Sequence, residues 1–187
     1  MLNIWDVYWG LRVEQCPCDV HFVEWLEEQG LTGKRIYHFG TGGHHYVGIR
    51  CAEPELDSTV LGITASPKEY EAFVKLAIDN PTITKSYSAY FGDIYTSNAR
   101  LLPRFDIVTL FHSCEFRSEK NDAYGALTDL EVMQLFTDQT DAGGHILFYT
   151  GSFAYEAAKP IIADWAKSRA VEEIGEFKTL RVFRKTA

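Results

Sequence analysis

Arg35-Ile36-Tyr37-His38-Phe39 is a short β-favouring run, and it passes without a spacer into Gly40-Thr41-Gly42-Gly43. A buried strand that ends in a glycine turn and then enters a helix marks the start of a parallel β-α-β unit. A parallel neighbour is reached only through a crossover, and a helix is the usual one. Glycine lets backbone amides approach a ligand closely, with the helix N-terminus behind them. A tight turn with no ligand also uses glycine, so the position of the turn carries more weight than its composition. Here a helix over Tyr46 to Ala52 follows, interrupted before Pro54, and a second β-branched strand, Thr59 to Ile63, comes next.

The alternation continues along the chain. An amphipathic helix from Asp19 to Gln29 precedes the first strand, with Asp19 as N-cap and Gly30 as its stop. Ser66-Pro67-Lys68-Glu69 is a capping box with proline at the first helical position, so a helix should run from Pro67 to Asn80. Ser86 to Phe91 reads as the third strand and Phe105 to Phe111 as a fourth, apolar enough for the middle of a covered sheet. A second capping box, Thr128 to Glu131, opens a helix that should stop near Gly143-Gly144, where a fifth strand, His145 to Tyr149, begins. A helix from Tyr155 to Arg169 follows. Two closing strands, Ala170 to Ile174 and Thr179 to Phe183, lie too close together for a crossover and should form an antiparallel hairpin. The expectation is an α/β fold: a three-layer αβα sandwich with a doubly wound, mostly parallel seven-stranded sheet and an antiparallel C-terminal hairpin strand. At 187 residues it should be a single domain, with residues 1–33 as an N-terminal helical lid segment.

The charge balance excludes some functions. Lys and Arg number 18 against 26 Asp and Glu, a net charge of −8, which disfavours broad contact with nucleic acid. Arg100, Arg104, Arg117 and Lys120 are the only candidates for a local basic groove. No apolar run approaches the roughly 20 residues that span a bilayer, and the first residues lack the pattern of a signal peptide, so a soluble, cytoplasmic protein is expected. Cys16, Cys18, Cys51 and Cys114 are too few for a disulfide framework and suit a reducing compartment. Cys16-Pro17-Cys18 with His21 suggests a metal cluster. Its spacing is not the Cys-x-x-Cys of zinc modules, and no second pair follows, so free thiols are expected and no metal site is assigned.

In a doubly wound sheet the ligand sits beyond the carboxyl ends of the strands. His38 to His45, Thr64 to Ser66, Gly92 to Tyr95, His112 to Phe116 and Tyr149 to Phe153 occupy those ends. From Asp19 onward these segments resemble the class I S-adenosylmethionine-dependent methyltransferases. Ile36 to Gly43 resembles that family's first motif, Val60 to Pro67 its second-strand motif, Phe91-Gly92-Asp93-Ile94 its adenine segment, Phe105 to His112 its fourth-strand motif and Gly143 to Phe148 its entry to strand five. The resemblance implies S-adenosylmethionine as cofactor. It implies that Gly40, Thr41, Gly42 and His45 pack against the methionyl part and ribose. Thr64, Ala65 and Ser66 would lie at the ribose, with Thr64 where an acidic residue is common. Gly92, Asp93 and Ile94 would hold the adenine, with Asp93 accepting from its amino group. Phe111 and His112 would lie near the methyl, and Tyr8 would close over the site with cation–π attraction for the sulfonium. His38 stands where the family has Asp or Glu, and His44 replaces the third glycine. Such a core leaves few residues for acceptor recognition, so an open or small site and a small-molecule acceptor are expected. His112 and Glu115 are the catalytic candidates, with Tyr149 as an orienting group.

Three other readings share the sequence. His38, Thr64 and the lack of a partnered base suit a protein that holds S-adenosylmethionine or S-adenosylhomocysteine without turnover. His38, His44, His45 and His112, with Cys114 and Glu115, suit a metal-dependent enzyme if several converge. A nicotinamide oxidoreductase would need a third glycine at position 45 and an acid ending strand two, where the chain has His45 and Thr64. Trp5, Tyr8 and Trp9 suit either a lid or a helix packed by its aromatics against the sheet. The oligomeric state is not readable from the sequence.

Overall fold

A computed structural model describes residues 1–187. Seven strands form one sheet: β1 Arg35–Phe39, β2 Thr59–Thr64, β3 Tyr87–Phe91, β4 Phe105–Thr109, β5 Thr140–Tyr149, β6 Val171–Phe177 and β7 Leu180–Lys185. Their order is β3-β2-β1-β4-β5-β7-β6, with β7 antiparallel to both neighbours and the other pairings parallel. The expected sandwich and hairpin are both present. Six α-helices accompany the sheet: α1 Cys18–Glu28, α2 Tyr46–Cys51, α3 Pro67–Asp79, α4 Glu119–Asp122, α5 Asp129–Gln139 and α6 Tyr155–Ser168. None is long and apolar enough to cross a membrane.

Side-chain alternation sorts the two cores. Ile36, Val60, Ile107 and Leu147 face α1, α2 and α3, where they meet Phe22, Leu26, Val47 and Phe73. Tyr37, Val108, Ile146 and Phe148 face α5 and α6, where they meet Phe136, Ile162 and Trp165. Both faces are apolar and covered, as a parallel sheet requires. The chain runs outward from β1 through β2 to β3 and then crosses back to place β4 on the other side of β1, so a crevice opens at the carboxyl ends of β1 and β4.

Three local expectations change. Residues 1–12 form no helix. They make an irregular strap over the carboxyl edge of the sheet. Trp5 N–H donates to Ala65 O (3.2 Å), Gly43 N–H to Trp9 O (2.8 Å), and Asn3 Nδ2 to Phe116 O (2.9 Å). The aromatic run has no helical period, and bonds to loop backbone take the place of helical ones. Helix α1 starts at Cys18 after Pro17, so Asp19 lies inside its first turn rather than capping it, and its side chain is buried. Finally, α5 ends at Gln139 and β5 begins at Thr140, paired with Phe105, ahead of a bulge at Gly143-Gly144. The glycines therefore bend a strand instead of ending a helix. Gly143 has φ +80°, and a Cβ on Gly144 would lie 2.6 Å from Asp106 O.

Gly144→Ala should therefore destabilise the chain by about 1–3 kcal/mol, read as a lower urea midpoint with an unchanged slope.

Candidate functional site

A cavity of about 490 Å³ opens at the crevice, walled by the carboxyl ends of the parallel strands and roofed by the strap. Most of the residues expected there from the sequence do line it. Gly40 and Gly42 come from the first turn, with φ +89° and +56°. A Cβ on Gly40 would lie 2.8 Å from the His112 ring, so the turn and the loop after β4 touch there. Thr64, Ala65 and Ser66 line the end of β2, Gly92, Asp93 and Ile94 the end of β3, and His112 and Glu115 the end of β4.

Five expected residues stand behind or outside the wall. His38 is buried, its Nδ1 bonded to Thr109 Oγ1 (2.8 Å), and burial together with the neighbouring histidines lowers its pKa to about 3. Thr109 Oγ1 donates to Tyr37 O, which makes Nδ1 the protonated nitrogen and leaves Nε2 without a hydrogen-bond partner, 3.6 Å from Asp19 Oδ1. His45 ties α2 to its surroundings: Tyr87 OH donates to Nδ1 (2.7 Å), and Nε2–H donates to Glu69 O (3.0 Å). Thr41 points into the protein, where its methyl would meet a Cβ on Gly62 at 2.4 Å. Phe111 packs on Phe22 and His38 in the core. Tyr8 is exposed, with its hydroxyl on Gly43 O (3.1 Å), and the strap residues that reach the cavity are Trp5, Val7, Trp9, Gly10 and Arg12.

Two carboxylates that the sequence motifs do not announce fill the gaps. The second-strand position held by Thr64 is not acidic, but Thr64 Oγ1 donates to Glu69 Oε2 (2.6 Å). Trp9 N–H donates to the other oxygen, Oε1 (3.1 Å). Glu69 lines the cavity and is 5% exposed. The expected capping box on α3 is thus only half made. Ser66 Oγ accepts from Glu69 N–H (3.4 Å), while the Glu69 carboxylate turns away from the cap into the cavity. At the end of β1 the strand residue is His38, and Asp19 of α1 comes to the same place and lines the cavity beside His44 (His44 Nε2 to Asp19 Oδ2, 3.7 Å). Burial raises Asp19 to about 7, partly offset by His112. In both places a helix carries the negative charge that the strand end lacks.

Asp93 is held from three sides. Its Oδ1 accepts from Tyr95 N–H (3.0 Å), and its Oδ2 from Asn121 Nδ2 (2.7 Å) and Tyr124 OH (2.5 Å). Asn3 Nδ2 donates to Asn121 Oδ1 (2.9 Å), so the strap closes this network too.

His112 and Glu115 form a pair, Nδ1 to Oε2 at 3.2 Å, and Glu115 Oε1 accepts from Ser152 Oγ (2.5 Å) and Phe153 N–H (3.1 Å). Burial alone would lower the histidine, but Glu115, Cys16 and Asp19 hold it above its ordinary value. Burial pushes Glu115 up, and its bonds to His112, Ser152 and Phe153 bring it below the ordinary value. Tyr149 also lines this end. Cys16 and Cys18 enter the wall here with sulfurs 3.4 Å apart, and hydrogen bonding from Cys18 lowers Cys16 to about 6. His21 faces elsewhere, bonded to Thr179 Oγ1 (2.8 Å). No basic groove forms from the expected residues. Arg104 pairs with Asp141 at the far edge of the sheet, and Arg117 pairs with Asp122.

No protein-family model matches the sequence, and no curated protein matches it either. Solved structures do. The N-methyltransferase NodS from Bradyrhizobium japonicum WM9, in complex with S-adenosyl-L-homocysteine, superposes with a TM-score of 0.65 over 94% of this chain and 91% of its own, at 12% identity. The methyltransferase domain of bacterial CtHen1-C gives 0.61 over 94% and 100%, at 14% identity. The fold is that of the class I methyltransferases. The [4+2]-cyclase SpnF has it as well, with a TM-score of 0.60 over 92% of this chain and 65% of its own, at 14% identity. The class I methyltransferase fold thus carries more than one chemistry, and the side chains of this cavity must specify which one.

Burial holds Glu69 above its ordinary value of 4.5, against the opposing bonds from Thr64 and Trp9. The folded chain therefore keeps this proton to higher pH than the unfolded chain, and stability falls as pH rises from about 4.5 to the raised folded value. Glu69→Gln should remove that slope. Urea midpoints of the variant and the parent, measured from pH 4 to 9, should diverge in the variant's favour through this window; a pH-independent difference contradicts the assignment.

Proposed function

We propose that this chain binds S-adenosylmethionine in the cavity and transfers its methyl group to a small-molecule acceptor. The observation that carries the reading is Glu69: a desolvated carboxylate at the end of β2, braced by Thr64 and Trp9, in the crevice of a class I methyltransferase fold. Each carboxylate oxygen keeps a lone pair beyond its present bond, enough for a pair of ribose hydroxyls. The remaining wall fits the same ligand. The Gly40 and Gly42 turn gives a close backbone approach, Ile63 and Ile94 give an apolar slot for a purine, and Asp93 gives an acceptor beside it. Asp19 offers a negative charge to an ammonium group at the end of β1. When bound, the cofactor supplies a methyl group made electrophilic by its sulfonium.

Methyl transfer is an in-line displacement, and alignment supplies much of its rate. A base is needed only for an acceptor that arrives protonated. Glu115 occupies His112 Nδ1, so Nε2 is the nitrogen that takes the proton. Ser152 and Phe153 hold Glu115 in place and ionised, which keeps the ring oriented. That partnered pair supports turnover over simple retention of the ligand.

Titration calorimetry with S-adenosylhomocysteine tests the binding step. The parent should bind one equivalent, and Glu69→Gln should weaken binding by about 10- to 100-fold. Absence of binding to the folded parent refutes the reading. Turnover is read as S-adenosylhomocysteine formed from S-adenosylmethionine over a panel of amine, phenol, carboxylate and thiol acceptors. With an active acceptor, His112→Asn should lower kcat by about 100-fold while leaving affinity for S-adenosylhomocysteine unchanged, and Glu115→Gln should lower kcat by less. Binding without turnover on any acceptor leaves a non-catalytic holder of the cofactor.

A further inference from the structure

The end of the cavity farthest along the loop after β4 holds three metal-type ligands from two distant parts of the chain. Cys16 Sγ and Cys18 Sγ lie 3.4 Å apart, and with a ring nitrogen of His112 all three ligand atoms fall within 4.8 Å of one another. All three residues line the cavity. Pro17 between the cysteines is the N-cap residue of α1, and both cysteines line the cavity at a sequence spacing shorter than that of an ordinary zinc module. The fold supplies the third ligand, from the loop after β4.

We propose that Cys16, Cys18 and His112 bind one thiophilic divalent cation of the zinc class, with its fourth position open to the cavity. Tetrahedral zinc with Zn–S near 2.3 Å and Zn–N near 2.0 Å separates its ligand atoms by roughly 3.5–3.8 Å. The two sulfurs already stand at about that spacing, and the histidine needs to close by at most about 1.3 Å. Two thiolates and an imidazole select zinc over magnesium or calcium, which prefer oxygen. On binding, two metal–sulfur bonds form and the thiol protons pass to buffer; no oxidant or reductant is involved. Glu115, hydrogen-bonded to His112 Nδ1, stands as the carboxylate behind a ligand histidine, an arrangement that fixes the ring and strengthens the metal bond.

Three protein ligands and one open position make up a site that works on a ligand rather than one that only staples the fold. Glu115, Tyr149 and Ser152 line the same cavity as the three ligands. The open position takes an anionic donor, a thiolate or a hydroxide in the first instance. Where methyl transfer holds as proposed above, that donor belongs to the acceptor. In the metal-loaded protein His112 is then a ligand and the cation stabilises the deprotonated acceptor, while in the metal-free protein His112 is the base. This consequence rests on the methyl-transfer reading; the metal site itself does not.

The test uses the full chain without any nucleoside ligand, so its outcome is independent of cofactor binding. The chain is reduced, stripped with chelator, and titrated with zinc against a chromophoric chelator. One zinc per chain should bind, and cobalt in its place should show a sulfur-to-cobalt charge-transfer band with tetrahedral visible absorption. Cys16→Ser and Cys18→Ser should each weaken binding by about 100-fold or more, and Glu115→Gln by about 10-fold. Cys114→Ser, which alters a cavity thiol outside the trio, should leave affinity unchanged. Cys16 is only partly buried, so its variant keeps the experiment decisive even if Cys18→Ser fails to fold. Sub-stoichiometric zinc, a cobalt spectrum without the thiolate band, or affinity unchanged in Cys16→Ser overturns the proposal.

Discussion

A single buried glutamate joins four parts of the chain at the carboxyl edge of the sheet. Glu69 accepts a proton bond from Thr64 at the end of β2 and another from Trp9 in the strap, and it belongs to α3. Its backbone carbonyl accepts from His45, which anchors the glycine turn through α2. Removing such a group from water is costly unless hydrogen bonds compensate, and here they compensate only in part. The strap roof and the β2 end therefore take their relative positions from one carboxylate that lines the cavity, and the turn is tied to the same residue through its backbone carbonyl.

The site is best understood as a redistribution of negative charge. At the end of β1 the strand carries His38, which is buried, neutral and bonded to Thr109, while α1 delivers Asp19 to the same corner. At the end of β2 the strand carries Thr64, while α3 delivers Glu69. In both cases the strand residue is a polar support and the acid sits on a helix. Both acids line the cavity wall. The cost falls on the ligand-free protein, which holds desolvated carboxylates.

Much of the fold was legible because it rests on local signals. Hydrophobic runs, glycine stops and proline positions place β1, β3 and α3 within a residue or two of where they lie, and the short spacing of β6 and β7 requires a hairpin. The bulge at Gly143-Gly144 was not legible, since glycine marks a helix end as readily as a bent strand. Of the site, the glycine turn and the residues after β2, β3 and β4 could be read from their order. Asp19 and Glu69 could not, because each has a complete local explanation as a helix-start residue, and only tertiary packing turns its side chain inward. His38, His45 and Phe111 failed in the opposite sense: they occupy the binding edge in sequence but point into the core in space. Tyr8 is exposed while Trp5 and Trp9 of the same strap line the cavity, because the strap is irregular and its sequence carries no period that says which aromatics face inward. Cys16 and Cys18 meet His112 only across the fold, a proximity that no sequence spacing encodes.

A crystal structure of the chain grown with S-adenosylhomocysteine would examine the relocated charge at atomic detail. The ribose hydroxyls should lie within hydrogen-bond distance of Glu69, the ammonium group beside Asp19 and the adenine against Ile94 and Asp93. A nucleoside bound in the crevice with its ribose away from Glu69, or one bound elsewhere on the molecule, would contradict the assignment.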